Sequence, residues 1–206
     1  MDSSEMTGMG GESILGFGMR SLTVGTGYVA TGLLGLTLLI GPANLVFRRR
    51  NPISSYLRRD AGTWTTIFSV LHVAVGLQVY APLGDFLDYF LASDGRPLAN
   101  SFGLGNWTGL AATVIVVGLL ALSSDFALRK LKARSWKRLQ RLNYALFALV
   151  VVHAFFYGAL LRTGSPYTLL LILSVVAVFV GQAVGIRLWR RRHPRATTSE
   201  SAAVGG

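Results

Sequence analysis

Five apolar runs, each near the length of a bilayer-crossing helix, dominate the sequence: residues 22–40, 63–82, 107–122, 142–161 and 167–186. A helix needs roughly 20 mostly apolar residues to cross the hydrocarbon core. Within lipid only helices and closed barrels keep every backbone polar group bonded. The runs therefore predict an all-α integral membrane bundle of five transmembrane helices. Charged residues are only 14% of the 206, against about 25% in soluble domains. So little chain lies outside the runs that a separate soluble catalytic domain is not expected. The absence of cysteine removes disulfides, thiolate metal sites, iron–sulfur clusters and a Cys nucleophile.

The basic residues set the orientation. Of 20 Lys and Arg, 17 fall in residues 48–59, 129–141 and 187–195, directly after runs one, three and five. A net charge of +11 can signal nucleic acid, but clusters at the ends of apolar spans read as cytoplasmic loops. The N-terminus is then outside and the C-terminus cytoplasmic, in a multi-pass inner (plasma) membrane protein that contacts lipid and no nucleic acid. Three segments are expected: 1–20 as a disordered outer tail, 21–190 as the membrane domain and 191–206 as a disordered cytoplasmic tail. In the outer 82–104 loop, Leu83, Phe86, Leu87, Phe90 and Leu91 repeat at helical spacing, which predicts a short amphipathic helix in the membrane interface. No internal repeat is read from the sequence.

No Asp, Glu, Lys or Arg lies deep in any run, but two histidines do, His72 and His153. Ionisable residues inside a membrane default to a functional reading. His72 follows Arg59 by 13 residues and His153 follows Arg141 by 12. Both then lie roughly 18–20 Å from the cytoplasmic boundary, on helices running in the same direction. Two neutral imidazoles at one level suit a metal that takes two axial nitrogens, and haem iron is the chief candidate. Zinc wants more ligands. Small residues near each histidine, Ala74 and Gly76, Ala154 and Gly158, leave room for a flat macrocycle. The alternative is that each histidine only bonds a neighbouring helix. Arg162 and Arg96 are candidate partners for carboxylate groups at the outer edge.

Two stretches carry a family resemblance. One is Arg58-Arg59-Asp60-Ala61-Gly62 with His72 ten residues after the Gly. The other is Trp136-Lys137-Arg138-Leu139-Gln140-Arg141-Leu142-Asn143-Tyr144 with His153 nine residues after the Tyr. The chain resembles the ferric reductase-like transmembrane domain superfamily. Within it, the chain looks most like the haem-binding membrane subunit of the periplasmic methionine sulfoxide reductase system. The resemblance spans about residues 30–190. It implies transmembrane electron transfer through b-type haem, with His72 and His153 as ligands; Gly76, Gly158 and Arg162, read from their positions near the histidines and the outer boundary, are the further candidates around the cofactor. Many relatives carry a second histidine pair. Here the matching positions are Val79 and Gln140, so one haem b is expected, with FMN or a quinone as the candidate for bridging the remaining distance. With no Gly-rich nucleotide loop, electrons are expected from quinol or from a separate flavoprotein partner, towards an acceptor outside. The rival expectation is a non-catalytic membrane scaffold or docking subunit that has lost haem. A transporter is disfavoured by the lack of acidic groups in the spans.

Overall fold

The computed structural model describes residues 3–47, 53–80, 86–124, 129–130, 135, 138–161 and 166–192. It is helical throughout: α1 (Ser3–Val46), α2 (Ile53–Tyr80), a 3-10 helix (Phe86–Tyr89), α3 (Ser101–Leu122), α4 (Leu142–Phe156) and α5 (Pro166–Arg192). Beyond one isolated bridge, Leu91 to Pro97, no strand pairing occurs among the described residues. Four helices carry segments long and apolar enough to cross a membrane: Gly18–Val46, Tyr56–Val79, Ser101–Leu122 and Tyr167–Arg192. The outer faces of the bundle are strongly apolar, with Val114, Leu173 and Phe179 all exposed. Such a surface is stable only against lipid, so this is a multi-pass membrane protein. α1 begins at Ser3, inside the stretch expected as a tail, and no proline interrupts it before Pro42.

The helices pack as two antiparallel hairpins, α1 with α2 and α3 with α4, and α5 lies along the other side of α1. Towards the basic ends the hairpins close on an apolar core of Leu34, Leu38, Ala112, Val116, Leu119, Leu146, Phe147 and Val178. Polar side chains in this setting must bond locally, and the threonines do so by donating to carbonyls three or four residues back. Thr37 bonds Leu34, and Thr65 bonds Ala61. Pro42 has no N–H, so the Leu38 carbonyl loses its helical partner. The Gln182 amide of α5 supplies one instead, Nε2 donating to Leu38 O at 2.7 Å. Gly185 permits the approach, since a Cβ there would meet the Pro42 ring at 3.3 Å. The one amide inside α5 thereby mends the break in α1.

Two local expectations differ from the structure. α4 ends at Phe156, not at residue 161. Gly158, at φ +70°, terminates it. Its N–H bonds Phe155 O, and the Ala159 N–H bonds Ala154 O, the paired Schellman closure that a left-handed glycine allows. At 15 residues α4 is roughly 22 Å long, short of the hydrocarbon thickness.

The stripe expected as an interfacial amphipathic helix is a four-residue 3-10 helix at Phe86–Tyr89; Leu83 lies outside the described residues. The chain turns back at Gly95 (φ +76°), where Ala92 and Arg96 pair, and this return limits the helix to one turn. Tyr89 and Phe90 are buried. Tyr89 donates its hydroxyl to Leu77 O, one of the carbonyls left unpaired where α2 ends. The segment is thus a lid folded onto the bundle. Asn100 then caps α3, its side chain accepting from Gly103 N–H at 2.8 Å.

Candidate functional site

The lid, the two hairpins and the first turns of α5 line a partly open cavity of 510 Å³, within the roughly 300–1,000 Å³ typical of cofactor sites. His72 of α2 and His153 of α4 line it from opposite hairpins. Their ring centroids are 6.0 Å apart and the ring planes cross at 79°. The two levels inferred by counting from Arg59 and Arg141 do meet in space.

Each ring is held the same way. His72 Nδ1 lies 2.7 Å from Thr23 O of α1, and His153 Nδ1 lies 2.8 Å from Gly105 O of α3. A carbonyl only accepts, so Nδ1 carries the proton and, in the neutral imidazole, Nε2 carries the lone pair. Neither Nε2 has a hydrogen-bond partner among the described residues, yet neither is sealed off. Both are open to the cavity their rings line. A histidine that merely bridges helices has no need of a second nitrogen left bare in this way. A carbonyl bond at one nitrogen with the other free is the usual arrangement of a metal-ligating histidine.

Glycine makes the carbonyl reachable. A Cβ on Gly27 would lie 3.0 Å from His72 Nδ1 and Cε1, and one on Gly109 would lie 2.9 Å from His153 Nδ1. Gly27 and Gly109 each stand one helical turn after the bonded carbonyl, so each imidazole lies flat on bare backbone. The two acceptors precede their histidines by 49 and 48 residues. The matching segments read Thr26-Gly-Tyr-Val-Ala-Thr31 and Thr108-Gly-Leu-Ala-Ala-Thr113. Their hydroxyls bond alike: Thr31 to Gly27 O and Thr113 to Gly109 O, each at 2.8 Å. Thr26 also shares Thr23 O with His72, as Thr108 shares Gly105 O with His153. The chain therefore carries a short recurring segment, Thr-Gly-x-x-Ala-Thr, once in α1 and once in α3, and one of the two histidines packs on each copy. This short motif is the signal that sequence reading missed, and Thr23, Gly27, Gly105 and Gly109 went unnoticed with it.

The other expected site residues are distributed differently. Gly76 lines the cavity and lets α2 close on α1, where a Cβ would meet Thr23 at 3.3 Å. Gly158 is not among the lining residues; it ends α4 instead. Arg162 lies outside the described residues. Arg96 is exposed, pairs with Asp94 at 3.5 Å and does not line the cavity. Tyr157 does line it, its ring 5.0 Å from that of His153. Its hydroxyl bonds Asn106 Oδ1, and the Asn106 amide bonds Tyr89 O, tying the lid to both α3 and α4. Val79 is a lining residue. Gln140 sits at the start of α4 and accepts from the Asn143 side chain. No group of three or more His, Cys, Asp or Glu converges among the described residues, so they form no cage for a bare metal ion.

Comparison with known proteins agrees with this architecture. The family model described as ferric reductase like transmembrane component matches residues 26–151, a range that takes in His72 and both Thr-Gly-x-x-Ala-Thr segments and ends two residues before His153. The chain is 34% identical over 114 residues to the magnetosome protein MamZ of Magnetospirillum gryphiswaldense. That match covers 53% of this chain and 16% of the relative, so the chain spans only a small part of that protein's length. No solved structure matches. The matched range covers more than half of the chain, and the chain belongs to the ferric reductase like transmembrane component family.

Proposed function

We propose that the chain is a membrane electron-transfer subunit that holds one b-type haem between His72 and His153. The observation that carries this reading is the facing pair of imidazoles, each bonded through Nδ1 and bare at Nε2. Two imidazoles on opposite sides of one metal, at roughly 2.0–2.1 Å per nitrogen, have ring centres about 6 Å apart, because each centre lies about 1 Å behind its nitrogen. The observed 6.0 Å fits. A metal already held in a macrocycle needs only two more donors, which is what the site offers. The mostly apolar lining, including Leu34, Leu110, Val116 and Leu146, suits a flat hydrophobic ring.

When bound, haem supplies a one-electron ferric–ferrous couple. His72 and His153 would hold the haem through their Nε2 atoms, and the site would then serve electron transfer. Thr23 O and Gly105 O fix the tautomer and raise the basicity of each ligand. The apolar core below the site and the lid above it keep water out, which helps set the potential. The basic ends of the helices face the cytoplasm by the positive-inside rule, which puts the cavity and its lid in the outer half of the membrane. α4 with the turn at 157–161 makes the remaining crossing, giving five spans. Electrons come from membrane quinol or a separate flavoprotein, and leave for an acceptor on the outer face. In this reading the chain works like the haem-binding membrane subunit of the periplasmic methionine sulfoxide reductase system.

The test is a reduced-minus-oxidised visible spectrum of protein purified in detergent from haem-supplied cells. A b-type α band in the wild type, lost in His72→Ala and His153→Ala, supports the proposal, as does reduction of that band by a quinol or a reduced flavoprotein. A wild type without the band, or bands unchanged in both variants, rejects it in favour of a scaffold role.

A further inference from the structure

Among the described residues that line the cavity, formal charge stands at one end only. The face of α1 that lines it carries Arg20, Thr23, Val24, Gly27, Tyr28, Thr31 and Leu34, at the spacing of a single helical stripe. Arg20 ends that stripe beside the lid, and it is the only formally charged side chain lining the cavity among the described residues. It has no ion-pair or hydrogen-bond partner there. Tyr28 and Tyr167 also line the cavity, their rings stacked at 5.2 Å, and neither hydroxyl has a hydrogen-bond partner among the described residues. The opposite end is closed by Leu34, Val116, Leu146 and Val150. A ligand with a charged edge has one way to lie in such a space.

Resting on the haem reading above, we infer that Arg20 binds the carboxylates of the porphyrin and fixes its orientation, carboxylate edge towards the lid. Arg20 lies seven residues before Gly27, the residue against which His72 rests. That is a rise of roughly 10 Å, a distance that an arginine side chain and a propionate arm readily share. Arginine presents a planar fork suited to carboxylates. The sequence reading assigned this role to Arg96 and Arg162. Arg96 is committed to Asp94 away from the cavity, so Arg20 takes its place as the carboxylate partner that the described residues provide.

The test uses the full-length apo-protein in detergent, titrated separately with haem and with haem dimethyl ester, whose carboxylates are masked. Wild type, Arg20→Gln and Arg20→Lys are compared, with the midpoint potential as a second readout. Arg20→Gln is expected to weaken haem binding roughly two- to fivefold, the range of an exposed ion pair. Its affinity for the ester should be unchanged, and Arg20→Lys should recover most of the loss. The midpoint potential falls in Arg20→Gln, because removing a nearby positive charge favours the ferric state. If Arg20→Gln binds haem as the wild type does, or loses haem and ester equally, the assignment of Arg20 is wrong while the haem site stands. If the wild type binds neither porphyrin, the haem reading itself fails and this inference with it.

Discussion

Replacing Gly27 or Gly109 by alanine probes the site without touching a ligand. In a helix interior alanine is favoured over glycine by about 1 kcal/mol, so a glycine without a role would make the substitution stabilising. Here the new Cβ would sit 2.9–3.0 Å from an imidazole atom, against an optimum of roughly 3.5–4.0 Å. The ring must swing away by about half an ångström or more and stretch or break its bond to the carbonyl. That loss, about 0.5–1.5 kcal/mol, nearly cancels the propensity gain, and the apo-protein keeps its thermal stability. Ligation then requires the ring to be held off its relaxed rotamer, at about 0.5–1.5 kcal/mol, which weakens haem binding about two- to thirteenfold. Haem titration of the apo-protein, with thermal unfolding in parallel, measures both quantities. Gly118→Ala is the control, since a Cβ there meets nothing within 4 Å. Wild-type affinity in both Gly27→Ala and Gly109→Ala, or an equal loss in Gly118→Ala, would refute the reasoning.

Further expectations concern the scaffold. Gln182→Leu leaves Leu38 O unpaired and is expected to lower thermal stability by about 1 kcal/mol. In a Pro42→Ala background, where the helix regains the N–H for that carbonyl, the same substitution should cost less, since only the bond that Gln182 Oε1 accepts from Tyr144 is then lost; an equal cost in both backgrounds would show that the Leu38 bond contributes nothing. Gly158→Ala forces a Cβ into the left-handed region and should destabilise by about 1–2 kcal/mol. Haem content at low temperature should not change, because Gly158 does not line the cavity. Tyr157→Phe removes the bond to Asn106 and should loosen the lid, read as faster hydrogen exchange at residues 86–100 relative to wild type; unchanged exchange would show that the Asn106 and Leu77 bonds to Tyr89 hold the lid without Tyr157.

The parts of this molecule legible in its sequence are those set by local pattern. Apolar run length gave the helices, and counting from Arg59 and Arg141 placed His72 and His153 at one level. What escaped were relations between distant segments. The bonds from His72 to Thr23 and from His153 to Gly105 span 49 and 48 residues and leave no mark in helical periodicity. Their trace is the Thr-Gly-x-x-Ala-Thr segment, too short to stand out until the paired geometry shows why Gly is needed. The 83–91 stripe misled because apolar spacing does not say whether a segment lies on lipid or on protein. The turn at Gly95 and the open carbonyl at Leu77 decide that. Gly158 was read as room for a cofactor, although a glycine near the end of a helical run is as readily a C-terminal stop.

An iron porphyrin held between His72 and His153, as proposed, would have a direct spectroscopic signature. Electron paramagnetic resonance of the ferric protein, with haem per chain quantified on the same sample, addresses this most directly. One haem per chain with a low-spin, highly anisotropic signal is the predicted result, because the imidazole planes are close to perpendicular at 79°. His72→Ala or His153→Ala should convert it to a high-spin signal or abolish it. A wild-type signal that is high-spin, or a low-spin signal that survives loss of either histidine, would contradict the paired-imidazole site.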